Sequence, residues 1–433
     1  MKILVIGQCT LHWGRMEFGN IGNYYIIEPF FRELHKQFPR AQISTTMQLS
    51  DRFCQDEQVF VLPMNMYYAW DGRDLPQALL ELGIAELFKK TGVLTSSTPF
   101  IEQVIQSDII IDFSGDIWGD NANLLGKDRF LVGLIKDRVS QLLGKKTVMV
   151  AGSPGPFHEQ NTIDFAREVF ANFDLVTNRE SVSIELLQSN GFDTSRVSSF
   201  ACPAFLFQPK SLNQITNIID SLRLGERDKP IIGFILCGWN FLDGPFDKWP
   251  RKDVEYELFA ETVEYLTENL QARVLLMSHS NGFPIPPEQF MLIHGRDYDV
   301  IKQLESVLLQ RDISQSFQTV ETVLDAWQTK AVISQFDMLV SGRIHGAVAG
   351  LSQLVPTVII DYGHEPKAHK LMGFAIEAGV QEYVADPALQ NDLITKVKSC
   401  WDNRSSIKRH LEKQIPVVKE KARDNFRILK DVW

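Results

Sequence analysis

The sequence has 433 residues, more than one ordinary core takes, so two or three domains are expected. Hydrophobic residues make up 44% and charged residues 23%, the range of a globular chain, and the net charge of -10 excludes the concentrated basic face that nucleic acid requires. An anionic ligand would need a local basic pocket instead.

The opening MKILVIGQCT has too short an apolar run for a signal peptide, and no stretch reaches the twenty or so apolar residues of a spanning helix, so a cytoplasmic protein is expected. The five cysteines (Cys9, Cys54, Cys202, Cys237, Cys400) are scattered and include no CxxC pair. They read as reduced thiols, and no metal site is expected.

What recurs along the chain is a short apolar run, then a Gly-rich or polar loop, then a helical pattern. KILVIG (2–7) leads through a long loop to a helix near 24–37. SDIIIDFSG (107–115) precedes a helix near 128–143, and KTVMVAGSPGP (146–156) one near 161–171. DLVTNRE (174–180) opens a helix to about Gly191. The stretch 203–229 reads as a connection, after which a second series begins: KPIIGFILCGWN (229–240), RVLLMSHSNG (273–282), FDMLVSGRIHG (336–346) and VPTVIIDYG (355–363). The tail from about 386 is helical and charged. Continuous apolar runs alternating with amphipathic helices indicate parallel sheets covered on both faces. The chain therefore reads as α/β, with two Rossmann-like domains facing a cleft (GT-B-like) and a C-terminal helix packing back on the first domain. The expected bounds are 1–205, 225–380 and a helical segment 381–433.

Ligands of open α/β sheets sit beyond the carboxyl ends of the strands, so the loops after the apolar runs are the places to search. SGRIHG (341–346) carries the strongest local signal: Arg343 and His345 stand at a strand end and a helix start. Helix N–H groups there favour an anion, Arg adds a bidentate fork for phosphate or carboxylate, and His supplies a proton donor or acceptor. A helix cap with a solvated Arg is the competing account. SGDIWGDN (114–121) brings Asp116 and Asp120, AGSPGPF (151–157) brings Gly155 and a backbone suited to close approach, and TNRE puts Arg179 at a helix start. GNIGN near the N-terminus, with Asn20, is a turn entering a helix, and His279 follows the RVLLMS run. Aromatic clusters occur at MNMYYAW (64–70) and WNFLDGPFDKW (239–249), where sugar stacking and core filling compete.

Taken in order, GNIG (19–22), SGDIWGD (114–120), GSPGPF (152–157), NRES (178–181) and SGRIH (341–345), followed by Tyr362 and Lys367 in DYGHEPK, resemble the polysaccharide pyruvyl transferase family. The resemblance spans most of 17–375, and its specific part is the Ser-x-Arg-hydrophobe-His element with the later Tyr and Lys. Asn23 stands where the family usually has Asp, SGD replaces a commoner triple Gly, and 63–76 and 239–252 have no counterpart in the pattern. The acceptor is left more open than the donor.

The resemblance implies transfer of a pyruvyl group from phosphoenolpyruvate to a sugar diol of a polysaccharide or glycan precursor, giving a pyruvate ketal and phosphate. On that basis His345 is the candidate acid that protonates the donor's methylene carbon, with His279 as the second candidate. Asp116 takes a hydroxyl proton or stabilises the cationic centre. Arg179 and Arg343 bind the donor's phosphate and carboxylate, and Ser341, Lys367, Asn20, Gly155 and His279 complete the substrate-binding set. The first domain is assigned to the acceptor and the second to the donor. No metal or cofactor beyond the donor substrate is implied, and a homo-oligomer is left open. Two other readings share these features: a nucleotide-sugar-dependent glycosyltransferase of two-Rossmann type, and a non-catalytic glycan-binding protein.

Overall fold

The continuous apolar runs become the central strands of two parallel sheets. The computed structural model describes all residues except 8–18, 125, 244–247, 281–296, 312, 314–315, 363–367 and 433. The first sheet contains β1 (Lys2–Ile6), β2 (Gln42–Thr45), β3 (Val59–Val61), β4 (Ile109–Asp112), β5 (Lys146–Gly152), β6 (Leu175–Asn178) and β7 (Val197–Ser199), in the order β3-β2-β1-β4-β5-β6-β7. The second contains β8 (Ile231–Ile235), β9 (Arg273–Met277), β10 (Phe317–Thr319), β11 (Met338–Ser341), β12 (Thr357–Ile360) and β13 (Val384–Ala385), in the order β10-β9-β8-β11-β12-β13. Every pairing in both is parallel.

Both sheets thus have the Rossmann order, with the chain winding outwards in two directions from a central pair. That pair is β1 and β4 in one sheet and β8 and β11 in the other. β4, β8 and β11 are buried at every position, which is why they read as unbroken apolar runs rather than alternating ones. Strands β2, β3, β7, β10 and β13 were not expected from the sequence. They are QIST, VFV, VSS, FQT and VA, two to four residues each, lying outside the central pairs where one-sided burial leaves no long apolar run.

The chain divides into two compact units, Met1–Gly14 with Glu28–Pro203 and Lys421–Trp433, and Arg15–Ile27 with Ala204–Glu420. In the second unit Tyr24 and Tyr25 pack on Phe207, at ring distances of 5.7 and 4.8 Å, and Tyr24 also meets Trp327 at 4.8 Å. In the first unit a core cluster gathers round buried Trp118, with Phe130, Phe157, Phe170 and Phe192. The charged tail is one helix, Asp392–Arg427, whose last turns belong to the first unit. There Asn425 Nδ2 donates to the Ala201 carbonyl at 2.9 Å and Phe426 packs on Phe30 at 5.7 Å. Among the described residues, no helix is long and apolar enough to cross a membrane.

Gly233 in β8 shows how tightly the second sheet is covered. A Cβ there would lie 2.2 Å from the Phe336 ring and 3.0 Å from Leu339. Gly233→Ala is expected to cost about 1–3 kcal/mol, the usual penalty of overpacking. Urea unfolding of both proteins measures it, and an unchanged midpoint would mean that the Phe336 ring gives way at no cost.

Candidate active site

The carboxyl ends of β8 and β11, the strands from which the second sheet winds in opposite directions, are tied together by one side chain. Asn240 Oδ1 accepts the Cys237 N–H at 2.9 Å, while its Nδ2 lies 3.2 Å from both the Gly342 and Ile360 carbonyls. Asn240 therefore joins the residues that follow β8, β11 and β12. Cys237 adds its thiol, 3.1 Å from the Gly342 carbonyl, and burial pushes that thiol up to about 12, so it stays protonated and structural. A Cβ on Gly342 would sit 2.0 Å from Asn240 Oδ1, so glycine is needed for this close approach.

SGRIH follows β11. The buried Ser341 hydroxyl donates to the Arg343 carbonyl at 2.9 Å and accepts the Arg343 N–H at 3.3 Å, a local turn that feeds the helix Ile344–Ser352. Arg343 is itself buried and forms a forked ion pair with Asp297, Nε to Oδ2 at 2.9 Å and Nη2 to Oδ1 at 2.5 Å. Burial works against the Arg343 charge, but the adjacent Asp297 carboxylate outweighs it and raises its proton affinity. Asp297 is 1% exposed, and burial raises its carboxyl despite Arg343 and the backbone N–H groups of His279 and Ser280.

The two candidate histidines occupy different surroundings. His279 is 1% exposed, edge-on to Tyr25 at 5.4 Å, and its Nε2 has no hydrogen-bond partner. Burial first, and then the charge of Arg343, lower it to about 3, so it is a neutral imidazole at any physiological pH. His345 is only partly buried and lies in the first turn of the Ile344–Ser352 helix. Its ring faces Phe374 at 6.1 Å and Gly22, where a Cβ would meet Nδ1 at 2.6 Å. Gly22 thus leaves room for the imidazole at the start of the helix Ile21–Gln37. Asn20, just before it, bridges to Ser280. Buried Tyr362 lies against Trp239 at 5.9 Å, and Lys367 falls outside the described residues.

In the first unit a second group stands at the strand ends. Arg179, 1% exposed, donates from Nε to the Ser153 hydroxyl at 3.1 Å and has Nη2 3.6 Å from Asp116 Oδ1. Ser153 passes its own proton to buried Glu180 at 3.0 Å, and Glu180 also accepts the Ser183 N–H at 2.9 Å. Asp116 is the more open partner, its side chain 36% exposed. Gly155 holds the loop in shape: its φ is +102°, its N–H donates to the Trp118 carbonyl at 2.8 Å, and a Cβ would strike Leu186 at 2.6 Å. Asp120 likewise caps the N–H groups of His158 and Glu159.

The structure thus gathers Ser341, Arg343, His345 and His279 in one unit and Asp116, Arg179 and Gly155 in the other. Sequence reasoning missed Asp297, Asn240 and Ser153. Asp297 opens the helix Asp297–Leu309, where an acid reads simply as a favourable helix start. Among the described residues no group of three or more His, Cys, Asp or Glu could hold a metal ion.

Two parallel sheets of Rossmann order define an α/β chain with a GT-B-like fold. Comparison with known proteins gives the family: residues 20–364 match polysaccharide pyruvyl transferase, and the chain belongs to that family and is a transferase enzyme. It is 24% identical to the amylovoran biosynthesis protein AmsJ of Erwinia amylovora, over 96% of this chain and 95% of that one. In fold it is similar to Anabaena HepE solved with UDP and glucose (12% identity, TM-score 0.58, 100% and 98% of the two chains). It is also similar to the UDP-GlcNAc 2-epimerase of Neisseria meningitidis bound to UDP-GlcNAc (11% identity, TM-score 0.58, 100% and 99%).

At the end of β4 lies a buried pair of carboxyls, Asp112 and Asp137, hydrogen-bonded to each other and to Ser114 and Trp118. Burial raises both, Asp112 to about 7. The native state then keeps a proton that the unfolded chain releases near pH 4, so the stability tied to this proton is full below about pH 4 and is lost as pH rises to 7. Relative to Asp112→Asn, wild-type stability should fall by up to about 1.4 kcal/mol per pH unit across that window. Urea unfolding of both proteins at pH 5 and 7.5 tests it, and the opposite slope would exclude a shared proton.

Proposed function

We propose that the enzyme transfers the pyruvyl group of phosphoenolpyruvate to two hydroxyls of a sugar, forming a pyruvate ketal and releasing phosphate. The observation that carries this reading is the placement of His345: partly open, with its ring against Gly22, in the first helical turn after the ion-paired Arg343. N–H groups of a first helical turn favour an anion, and a proton donor beside them can act on it. The donor is formed and used in the cytoplasm, which is the compartment this reading implies.

The proposed chemistry begins with proton transfer from His345 to the methylene carbon, leaving cationic character at the adjacent carbon. One sugar hydroxyl bonds to that carbon and loses its proton. The second hydroxyl then bonds to the same carbon as the bond to the phosphate oxygen breaks, and its proton leaves too. One released proton restores His345, and the other leaves with the phosphate. Arg343, beside His345 in the same unit, binds the donor's anionic groups. His279 stays neutral, which suits a hydrogen-bonding role and opposes that of an acid.

Phosphate release from phosphoenolpyruvate, measured over a panel of sugar acceptors, tests the reading. Release of nucleotide from a UDP-sugar under the same conditions would favour the glycosyltransferase reading. His345→Ala is expected to lower turnover about a hundred-fold to ten-thousand-fold with a much smaller change in donor affinity. Near-normal turnover would overturn the assignment.

Arginine variants need a partner-preserving design, because Arg343→Ala would leave Asp297 buried and unpaired. Arg343→Lys keeps the charge and loses the fork. It should weaken donor binding by roughly 1.5–3 kcal/mol. Titration with phosphoenolpyruvate measures this, and unchanged affinity would remove Arg343 from the donor site.

A further inference from the structure

The aromatic run at 64–70 divides in the structure. Tyr67 and Tyr68 are 5% and 3% exposed and join the core, whereas Trp70 is 36% exposed. Trp70 is also one of the few non-glycine residues with positive φ, at 58°, a conformation that costs energy and is held only by its surroundings. Those surroundings are the Arg129 guanidinium, 4.8 Å from the Trp70 ring centroid, and the Tyr68 ring, edge-on at 4.8 Å. Arg129 lies 5.3 Å from the Tyr68 ring as well, and Tyr68 is fixed by its hydroxyl on the Lys127 carbonyl at 2.6 Å. The result is an indole held in place and presented to solvent.

Beside it is a cavity of about 260 Å³, whose wall includes Ala69 and Asp71, the two chain neighbours of Trp70. That volume lies just under the ~300–1,000 Å³ of ordinary ligand sites and suits a single ring-sized group. The floor is a buried ion pair, Lys136 Nζ on Glu81 Oε2 at 2.6 Å, both side chains 2% exposed. Phe100 lines one wall and lies under Lys136, 4.3 Å from Nζ to ring centroid. Asn65 and Gln77 line the opening with Asp74. The lining carries three carboxylates, Asp71, Asp74 and Glu81, against two cations, Arg73 and Lys136, a net of -1. Each cation is already paired, Arg73 with Asp71 and Lys136 with Glu81. The charge left over is that of Asp74, which accepts hydrogen bonds and repels anions.

We infer that Trp70 and this cavity form a subsite for a neutral pyranose ring of the acceptor glycan, an inference that rests on the acceptor being a sugar as proposed above. A pyranose has an apolar C–H face and a rim of hydroxyls. The first matches an exposed indole, and the second matches carboxylate and amide groups that accept and donate at close range. With Arg129 on the indole beside it, the subsite has no unpaired excess of positive charge to draw an anion such as phosphoenolpyruvate or a nucleoside diphosphate. The subsite lies on the loop that leaves β3, a stretch without counterpart in the family's motif pattern, so it would set which glycan this chain accepts.

The test uses the full chain without donor and follows binding of methyl glycosides of glucose, galactose and mannose by saturation-transfer NMR, with methyl glucuronide as the anionic control. At least one neutral glycoside should bind, and the glucuronide more weakly. Trp70→Ala and Gln77→Ala should each weaken binding about threefold to tenfold, the size of one aromatic or hydrogen-bonded contact. Circular dichroism and the melting midpoint should not change. Absence of binding by any neutral glycoside, or affinity untouched in both variants, overturns the inference. The donor reaction is read separately. Phosphate release from phosphoenolpyruvate with Trp70-independent sugar binding would defeat only the subsite, whereas Trp70-dependent binding without phosphate release would defeat only the reaction.

Discussion

The ion pair of Arg343 with Asp297 is the constraint on which the second unit's site depends. Arg343 follows β11, and Asp297 opens the helix that precedes β10, with β8 and β9 lying between in the sheet order. Their pairing therefore spans the point where the sheet winds in two directions. Both side chains are buried, so neither charge has water to fall back on, and removing one partner would leave the other stranded at a cost of about 3–5 kcal/mol. An interaction of this kind adds little net stability, but it fixes geometry. Asp297 also accepts the His279 N–H at 3.3 Å, so the end of β9 is held by the same carboxylate. Together with Asn240, which holds the ends of β8, β11 and β12, it leaves the first turn of the Ile344–Ser352 helix little freedom. A preorganised first turn is what a site acting through backbone N–H groups and one histidine requires.

The first unit solves a similar problem with hydroxyls. Ser153 stands between Arg179 and Glu180, accepting from one and donating to the other. Arg179 also meets Asp116, at 3.6 Å and over a third exposed. Two arginines that look alike in sequence, each at a strand-to-helix turn, thus have different partners, Arg343 a buried carboxylate fork and Arg179 a hydroxyl with a more open carboxylate.

The sequence made part of this legible. β4, β8 and β11 were readable because strands buried on both faces leave unbroken apolar runs, and once these were placed, Arg343 and His345 followed from their position just after β11. Strands such as β7 and β13 were not readable, since three or two residues at a sheet's side have neither run nor alternation. Asp297 was invisible for another reason: its partner is 46 residues away, and locally it is one more acid at a helix start. The run MNMYYAW shows a third limit. Core filling and ring presentation use the same residue types, and only the backbone turn at Trp70 decides that two rings go inside and one stays out.

The contrast between the two histidines completes the argument about the acid. Protonating a carbon needs a group that is charged at least part of the time near neutral pH and is then left neutral. At His279, burial and the positive charge of Arg343 act in the same direction, and the lone unpartnered Nε2 offers no acceptor to stabilise a proton. Even a bound dianion would have to overcome both effects before that ring could carry charge. His345 is more open and sits two residues beyond Arg343, with its ring towards Gly22. Burial, more than spacing in the sequence, therefore separates the two histidines.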